Sequence, residues 1–372
     1  MNASYRFGIE EELFLADANT RGTPGKIVQA FHSDVHARMP QVERELLQSQ
    51  VEIASPPAVS FDEARASLAE LRGRLAEIGH SHGILVMAAG THPLARWRRQ
   101  RQTKKDRYDI LMREMQMLGR RDVVCGMHVH VEVPRPNDRV DLMNRLLPYT
   151  ALLLALSASS PFWQGRATGL IAYRLSVWGE MPRTGLPHLF QDRADYERFV
   201  AAMVRAQAIA DASFLWWTLR PSTHYPTLEL RVADSCTRLE DTLAIAALFR
   251  CLVRLVVRRP DLNRGLTGTS CAIAAENLWR AQRGGIKASF LDEDGGVLTC
   301  ADYLAAVLAS VAEDAAELGC AREVERTREI VATGTSADHQ LALFAQERER
   351  SGSAGEALAA VIDWLAATTR PG

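Results

Sequence analysis

The sequence predicts an α+β protein in which one antiparallel sheet of about six strands is flanked by helices. Short extended segments crowd the first two thirds of the 372-residue chain, and the remainder has a helical pattern. Several extended segments alternate apolar and polar side chains, which is typical of strands with one buried face. The predicted strands cover residues 7–15, 49–54, 84–90, 126–133, 172–178 and 227–233.

Two helices are predicted from the residues that precede them. Ser60 and Glu63 have the spacing of a capping box, in which each side chain satisfies a backbone amide of the other, so a helix is expected over 61–79. Thr237 is expected to cap another helix over 239–258.

A further helix is predicted over 138–157, with a kink at Pro148, because proline lacks a backbone donor and clashes with the preceding turn. No internal repeat divides the chain, and residues 351–355 are expected to form a flexible break before a final helix. We therefore expect a single domain over 1–372, with the sheet-forming motifs in 7–233 and a helical part over 238–372.

Composition favours a small-molecule partner. The chain has 44 Lys plus Arg and 45 Asp plus Glu, so its net charge of −1 provides no general field to attract nucleic acid or a membrane surface. The longest apolar stretch, 150–158, is too short to span a bilayer, and the N-terminus lacks a signal core. A cytoplasmic protein is expected. The six cysteines form no C-x-x-C pair, which argues against a zinc site and a disulfide framework.

One segment, 96–107, is strongly basic. Such a run is usually a solvated loop or helix face, although it could also steer a polyanionic nucleotide toward a site. Both interpretations stay open at the level of sequence.

Acidic side chains share a face on the first two predicted strands. Residues two apart on a strand project to the same side. Glu10 and Glu12 therefore project together, as do Gln50 and Glu52, while their apolar neighbours project to the opposite side.

The same alternation continues on two later strands. His128, His130 and Glu132 form one face of the segment 126–133, and Glu229 and Arg231 form one face of the segment 227–233. Four strands thus combine an apolar side with a side of carboxylates, imidazoles or an arginine.

An ordinary sheet with one wet face alternates in a similar way, but such faces favour Thr, Lys, Ser and mixed charges. Many adjacent carboxylates repel one another unless cations neutralise them. Oxygen-rich ligation with one imidazole suits Mg²⁺ or Mn²⁺, and acid-bound magnesium ions usually serve phosphate chemistry. The chain has no P-loop, dinucleotide fingerprint, nucleophile elbow or H-E-x-x-H motif.

Six short segments together form a recognisable set: GIEEE at 8–12, QVE at 50–52, GMHVH at 126–130, RLSVW at 174–178, RTGLP at 183–187 and ELR at 229–231. In these segments the sequence resembles the glutamate–cysteine ligase family, in its bacterial carboxylate–amine ligase branch, which is related to glutamine synthetase. The last third of the chain has no matching motif.

The resemblance implies a curved antiparallel sheet that forms a funnel, with nucleotide entering at one end and amino acid at the other. It also implies ATP and Mg²⁺ (or Mn²⁺) as cofactors and an ATP-dependent ligase. The γ-carboxylate of glutamate would be joined to an amine, cysteine by default, through an acyl phosphate. A homodimer is compatible with this interpretation.

The resemblance also implies a set of metal ligands. Glu45, seven residues before Glu52, is a weaker candidate for this set. Glu11 faces away from its neighbours and is expected to form a structural ion pair instead. The implied metal ligands are Glu10, Glu12, Glu52, His128 and Glu229.

Four further residues are implied to contact ATP or the transferred group. His130 would lie near the phosphates, Arg231 and Arg174 would stabilise the phosphoryl group in transfer, and Arg183 would contact phosphate or a substrate carboxylate. Arg174 and Arg183 could instead pair with a nearby acid. The segment 166–169 would be a substrate loop or a simple turn.

Three alternatives to a glutamate-dependent ligase remain. A ligase for another carboxylate–amine pair would use the same residues. A metal-dependent phosphohydrolase could use the same acids. A nucleotide-binding sensor without turnover would keep the ligands but would not need Arg231.

Overall fold

The computed structural model describes residues 4–371 and contains one large sheet and two short hairpins. Its strands are β1 (Phe7–Asp17), β2 (Glu43–Arg44), β3 (Gln50–Ala54), β4 (Ile84–Met87), β5 (Met127–Glu132), β6 (Phe162–Trp163), β7 (Arg166–Ala167), β8 (Leu219–Pro221), β9 (Thr227–Leu230), β10 (Ser289–Leu291) and β11 (Val297–Thr299). The large sheet is antiparallel, with the order β2-β3-β1-β5-β9-β8 and with β4 also paired to β1. It has seven strands where about six were predicted.

Helices surround this sheet, so the predicted α+β class is confirmed. They are α1 (Ile27–Arg38), α2 (Phe61–Ser81), α3 (Asp106–Met115), α4 (Met117–Arg121), α5 (Arg139–Leu146), α6 (Thr150–Ser157), α7 (Arg174–Trp178), α8 (Arg193–Arg205), α9 (Leu239–Arg258), α10 (Gly268–Gly284), α11 (Cys300–Glu317), α12 (Ala321–Thr333), α13 (Ser336–Ser351) and α14 (Ala354–Thr369). Within residues 4–371, none of them combines the length and apolar character needed to cross a membrane.

The core lies on the apolar face of the sheet. Ile9, Leu13, Val51 and Val129 are buried there, which confirms the predicted alternation. The long apolar helix α9 packs against β5 and is buried along most of its length. All six cysteines are free, and five of them are buried.

Two helix predictions are confirmed in detail. Ser60 and Glu63 form the capping box of α2, each accepting from the other's backbone amide. The helix predicted over 138–157 is interrupted at Pro148, where a 3₁₀ turn over Leu147–Tyr149 separates α5 from α6.

The strand predicted over 172–178 is wrong. Ala172 forms one parallel bridge with Ser160, and Arg174–Trp178 is the short helix α7. Polar Arg174 and Ser176 alternate with apolar Leu175 and Val177, so the sequence of this short helix has the period of a strand. The helical turn places Arg174 over the ring of Trp178, at 5.2 Å from the ring centroid.

Two other local predictions are also wrong. Thr237 does not cap α9: its hydroxyl donates to the Ala88 carbonyl at 2.8 Å, and Arg238 is the capping position without a side-chain cap. Instead, the acidic side chains of Glu240 and Asp241 in the first turn interact favourably with the positive N-terminal end of the helix dipole. The C-terminal part is not wholly helical, because β10 and β11 form a hairpin within it.

The predicted structural ion pair of Glu11 is confirmed. Both its oxygens accept from Arg72 of α2, at 2.6 and 2.8 Å, and the two side chains are fully buried. The guanidinium also donates to the backbone carbonyls of Cys236 and Thr237. This cluster fixes α2 against the sheet behind the strand that bears Glu10 and Glu12.

Replacing Arg72 by Met should therefore lower the free energy of unfolding by about 3–5 kcal/mol, because it leaves a buried carboxylate without its partner. Urea unfolding monitored by circular dichroism measures the change. Arg74→Met in the same helix is the matched control, since its pair with Glu70 is exposed and should be worth under about 1 kcal/mol. Equal losses in both variants would contradict this assignment.

Candidate active site

A cavity of about 440 Å³ lies on the polar face of the large sheet. Its floor is formed by side chains from four neighbouring strands, β3, β1, β5 and β9, and its walls come from α3, α7 and the segments before β5 and β9. The sheet residues that line it include Glu10, Glu12, Gln50, Glu52, His128, His130 and Glu229, with Arg231 directly after β9.

The strand register explains why these side chains meet. Residues directly opposite on antiparallel strands have their Cβ atoms about 4.5–5.5 Å apart and share a face. Three such pairs build the floor: Glu10 with His128, Glu12 with Glu52, and His130 with Glu229. The predicted common face is thus confirmed.

Two groups of potential metal ligands overlap within this floor. In each group, one ligand atom from every residue lies within 4.8 Å of the others, and Glu52 belongs to both. The first group is Glu10, Glu52 and His128, and the second is Glu12, Glu45 and Glu52. This oxygen-rich donor set, with one imidazole, fits hard divalent cations such as Mg²⁺ or Mn²⁺.

The electrostatics of the second group also fit a cation. Burial and then the nearby Glu12 raise the pKa of Glu45 to about 7. Burial and then Glu45, Glu10 and Glu12 hold the pKa of Glu52 well above its usual range. These carboxylates lack enough positive charge from the protein, so a bound divalent cation would restore their ionised form.

His128 provides a separate sign of fit. Its Nδ1 lies 3.2 Å from Glu10 Oε2, whereas its buried Nε2 has no hydrogen-bond partner. Burial and the nearby Arg231 lower the pKa of His128, which favours the neutral imidazole that a metal requires. Glu10 is compensated differently: burial opposes its ionisation, but hydrogen bonds to His128 and His130 outweigh burial and lower its pKa.

Glu229 lies in the cavity but outside both ligand groups. Its carboxylate is paired with Arg231 and, at 2.8 and 3.0 Å, with Arg220 on β8. Burial opposes its ionisation, but the two arginines outweigh burial and lower its pKa. Its predicted role as a metal ligand remains a prediction, while its position between two arginines is what the structure shows.

Arg231 and Arg174 both line the cavity beside the ligand groups. Their guanidinium groups lie over Trp178, at 5.9 and 5.2 Å from the ring centroid. Arg174 donates to the backbone carbonyls of Arg231 and Val232, and no acid pairs with it within residues 4–371. The Nε atom of each arginine is buried without a partner, so both retain unused donors at the cavity.

Other predicted residues differ in their placement. His130 lines the cavity, with Nε2 at 3.4 Å from Glu10. Arg183 does not line it; its side chain donates to backbone carbonyls and lies against Trp216, which does line the cavity. Within the segment 166–169, Arg166 and Ala167 form the strand β7 of the hairpin β6–β7, whose turn lies at 164–165. From the basic segment, Lys105 and Arg107 reach the cavity.

Sequence reasoning missed two charged residues of the site. Arg220 lies directly opposite Glu229 on β8, and that three-residue strand, which ends in proline, was too short to predict. Asp122 precedes β5 in an irregular segment, so no periodicity marked it. Burial and then Glu12 raise the pKa of Asp122 to about 7.

A second cavity, of about 320 Å³, adjoins the first at the far end of β5. The two cavities share Glu10, His130 and Tyr225. The second is lined largely by apolar groups, including those of Pro57, Tyr225 and Pro226. The floor of acids and histidines therefore continues into an apolar chamber.

Solved structures share the fold of this antiparallel sheet and its surrounding helices. A bifunctional glutathione synthetase from Pasteurella multocida superposes with a TM-score of 0.68 at 16% identity, over 98% of this chain and 52% of that protein. This chain thus spans about half of that enzyme. A glutamate–cysteine ligase from Francisella tularensis, solved with AMP, has a TM-score of 0.64 at 13% identity, over 99% and 89%.

The chain belongs to glutamate–cysteine ligase family 2, whose model matches residues 6–360. Two relatives carry the name "Putative glutamate–cysteine ligase 2". The protein from Bradyrhizobium diazoefficiens is 44% identical over the whole of this chain and 85% of its own length. The one from Rhodospirillum rubrum is 42% identical over 98% of this chain and 96% of its own length. These relationships support a carboxylate–amine ligase.

Proposed function

We propose that this protein joins the γ-carboxylate of glutamate to an amine at the expense of ATP, through an acyl phosphate. The observation that carries the proposal is the arrangement of two ligand groups sharing Glu52 directly beside Arg231 and Arg174. Acids for hard cations and arginines with free donors are the parts that phosphoryl transfer requires. The names of the relatives make cysteine the first amine to test.

The two cavities suggest how ATP lies. The apolar chamber at the Glu132 end of β5 would receive the base and sugar, and the triphosphate would extend along the floor toward Glu52. The two ligand groups would hold magnesium ions, which would supply positive charge to neutralise the phosphates. His130, which lines both cavities, would contact the phosphates.

The protein's own residues then direct the transfer. Arg231 would donate to the γ-phosphoryl oxygens as negative charge builds up on them, and Arg174 would donate beside it. Glu229 and Trp178 hold the Arg231 guanidinium in place from two sides. No lysine or cysteine nucleophile lies in the described cavity lining apart from Lys105, which is paired with Glu43. The substrate carboxylate would therefore attack ATP itself.

An ADP-release assay with glutamate, ATP and Mg²⁺ tests the proposal. We expect turnover that requires both glutamate and an amine, with cysteine tested first and other amines after it. With γ-carboxylate-labelled glutamate, ¹⁸O should appear in the released phosphate, because the acyl phosphate carries that oxygen. Turnover with water alone would indicate a phosphohydrolase, and nucleotide binding without turnover would indicate a sensor.

A further inference from the structure

Asp122 is a half-buried acid that lines the cavity, and within residues 4–371 its carboxylate has no hydrogen-bond or ion-pair partner. Its Oδ1 is buried without a hydrogen-bond partner. Within residues 4–371, no arginine, lysine or histidine nitrogen lies within the 4.0 Å that defines an ion pair with its carboxylate. Leaving a buried carboxylate unpaired costs free energy, and such groups in native proteins usually have a functional explanation.

The surroundings of Asp122 indicate what kind of group would satisfy it. The residue belongs to neither group of potential metal ligands. Burial and the nearby Glu12 raise the pKa of Asp122 to about 7, while Arg174 and Arg231 act in the opposite direction, yet neither arginine is bonded to it. The carboxylate is thus left free to accept from a donor that arrives with a substrate.

The position of Asp122 places this donor away from the nucleotide chamber. Asp122 comes before the start of β5, whereas the apolar chamber lies at the other end of that strand, around Glu132. Arg121, next to Asp122, is ion-paired with Glu180, which holds the turn after α7 against this end. Trp178 and Met181 from that turn line the cavity there, together with Val124.

We propose that Asp122 binds the ammonium group of the amine substrate and accepts the proton that this group must lose before it attacks. This inference rests on the proposed ligase function. The ammonium donates to the unpartnered Oδ1, while the carbon part of the amine packs against Val124, Trp178 and Met181. The ligand class is therefore a protonated primary amine.

In the proposed step the ammonium loses two protons and its nitrogen displaces phosphate from the acyl phosphate. One proton passes from the ammonium to Asp122, which frees the nitrogen lone pair. The nitrogen forms a bond to the carbonyl carbon of the acyl phosphate, and the bond from that carbon to the phosphate oxygen breaks, with its electron pair leaving on phosphate. The second proton leaves nitrogen with the phosphate.

Two small nucleophiles distinguish an amine-binding role of Asp122 from a general role in structure or catalysis. Methylamine and hydroxylamine are similar in size, but near neutral pH methylamine is a cation and hydroxylamine is largely uncharged. Only methylamine needs an anionic group to bind it and to take its proton. Hydroxylamine can trap the acyl phosphate without that group.

The experiment compares wild type, Asp122→Asn and the control Asp106→Asn, whose exposed carboxylate on α3 does not line the cavity. Each full-length enzyme is assayed with ATP, Mg²⁺ and glutamate, and with methylamine, cysteine or hydroxylamine. We expect Asp122→Asn to lower kcat/KM for methylamine and cysteine at least about 10²-fold, the lower range for a positioned proton acceptor. Hydroxamate formation should stay within about two-fold, and the control should match wild type.

Thermal unfolding provides a second measurement, because a purely structural role of Asp122 predicts a different change in Tm. Because Asp122→Asn removes an uncompensated charge, the Tm of the variant should equal or exceed that of wild type. A lower Tm with equal loss for both kinds of nucleophile would overturn the assignment, as would unchanged use of methylamine and cysteine. If wild type forms neither hydroxamate nor amide, the proposed function itself falls, and this inference falls with it.

Discussion

Replacing Arg231 by Ala is expected to lower kcat for ADP release by about 10³-fold or more while the protein remains folded. Arginines that stabilise a phosphoryl group in transfer typically contribute this much. Its guanidinium lines the cavity beside the ligand groups, is held by Glu229 and Trp178, and retains a buried Nε without a partner. The rate should be measured at saturating Mg²⁺, ATP, glutamate and amine. Arg231→Lys should restore only part of it, because lysine supplies charge without the planar fork.

The structure provides an internal control for this prediction. Arg220 pairs with the same carboxylate, Glu229, from the neighbouring strand. If Arg231 served only to neutralise Glu229, Arg220→Ala and Arg231→Ala would have similar effects on kcat and on Tm. We expect Arg231→Ala to cost far more in kcat than Arg220→Ala. A kcat for Arg231→Ala within a few-fold of wild type would remove this residue from the mechanism.

The polar face of the sheet could be predicted because strand geometry is periodic. Glu10 and Glu12, or His128 and His130, must share a side once their segments are strands, and burial of the alternating apolar residues confirms this. The same logic placed Glu11 on the core side, where it meets Arg72. Which strands are neighbours was not available from periodicity and was not predicted; the structure supplies the strand order.

The errors occurred where periodicity is short or absent. In the segment 174–178 polar and apolar residues alternate, so the sequence of this five-residue helix has the pattern of a strand. The two-residue strand β2 and the three-residue strand β8 are below the length at which alternation can be recognised, and Arg220 was missed for that reason. Asp122 lies in an irregular segment, and its importance depends on tertiary burial alone.

Replacing Glu52 by Gln should have the largest effect on metal binding, because Glu52 alone belongs to both ligand groups. Changes at outer partners of metal sites typically cost 10–100-fold in affinity or activity, and a shared direct ligand should exceed that range. We therefore expect a loss of more than about 10²-fold in kcat/KM for ATP. Isothermal titration with Mg²⁺ and Mn²⁺ should show correspondingly weaker binding.

The stability of the same variant should move in the opposite direction from its activity. In metal-free protein, burial and the surrounding acids keep the pKa of Glu52 high, so a neutral glutamine resembles the form that the fold already favours. Without metal, Glu52→Gln should therefore unfold at a Tm equal to or above that of wild type. Excess Mg²⁺ should raise the Tm of wild type, since a ligand that binds only the folded state stabilises it, and should raise that of the variant much less.

Glu43→Gln is the matched control, because Glu43 lies directly opposite Glu52 on β2 but is exposed and belongs to neither ligand group. If Glu52→Gln and Glu43→Gln responded alike to Mg²⁺, the cation would have to bind elsewhere.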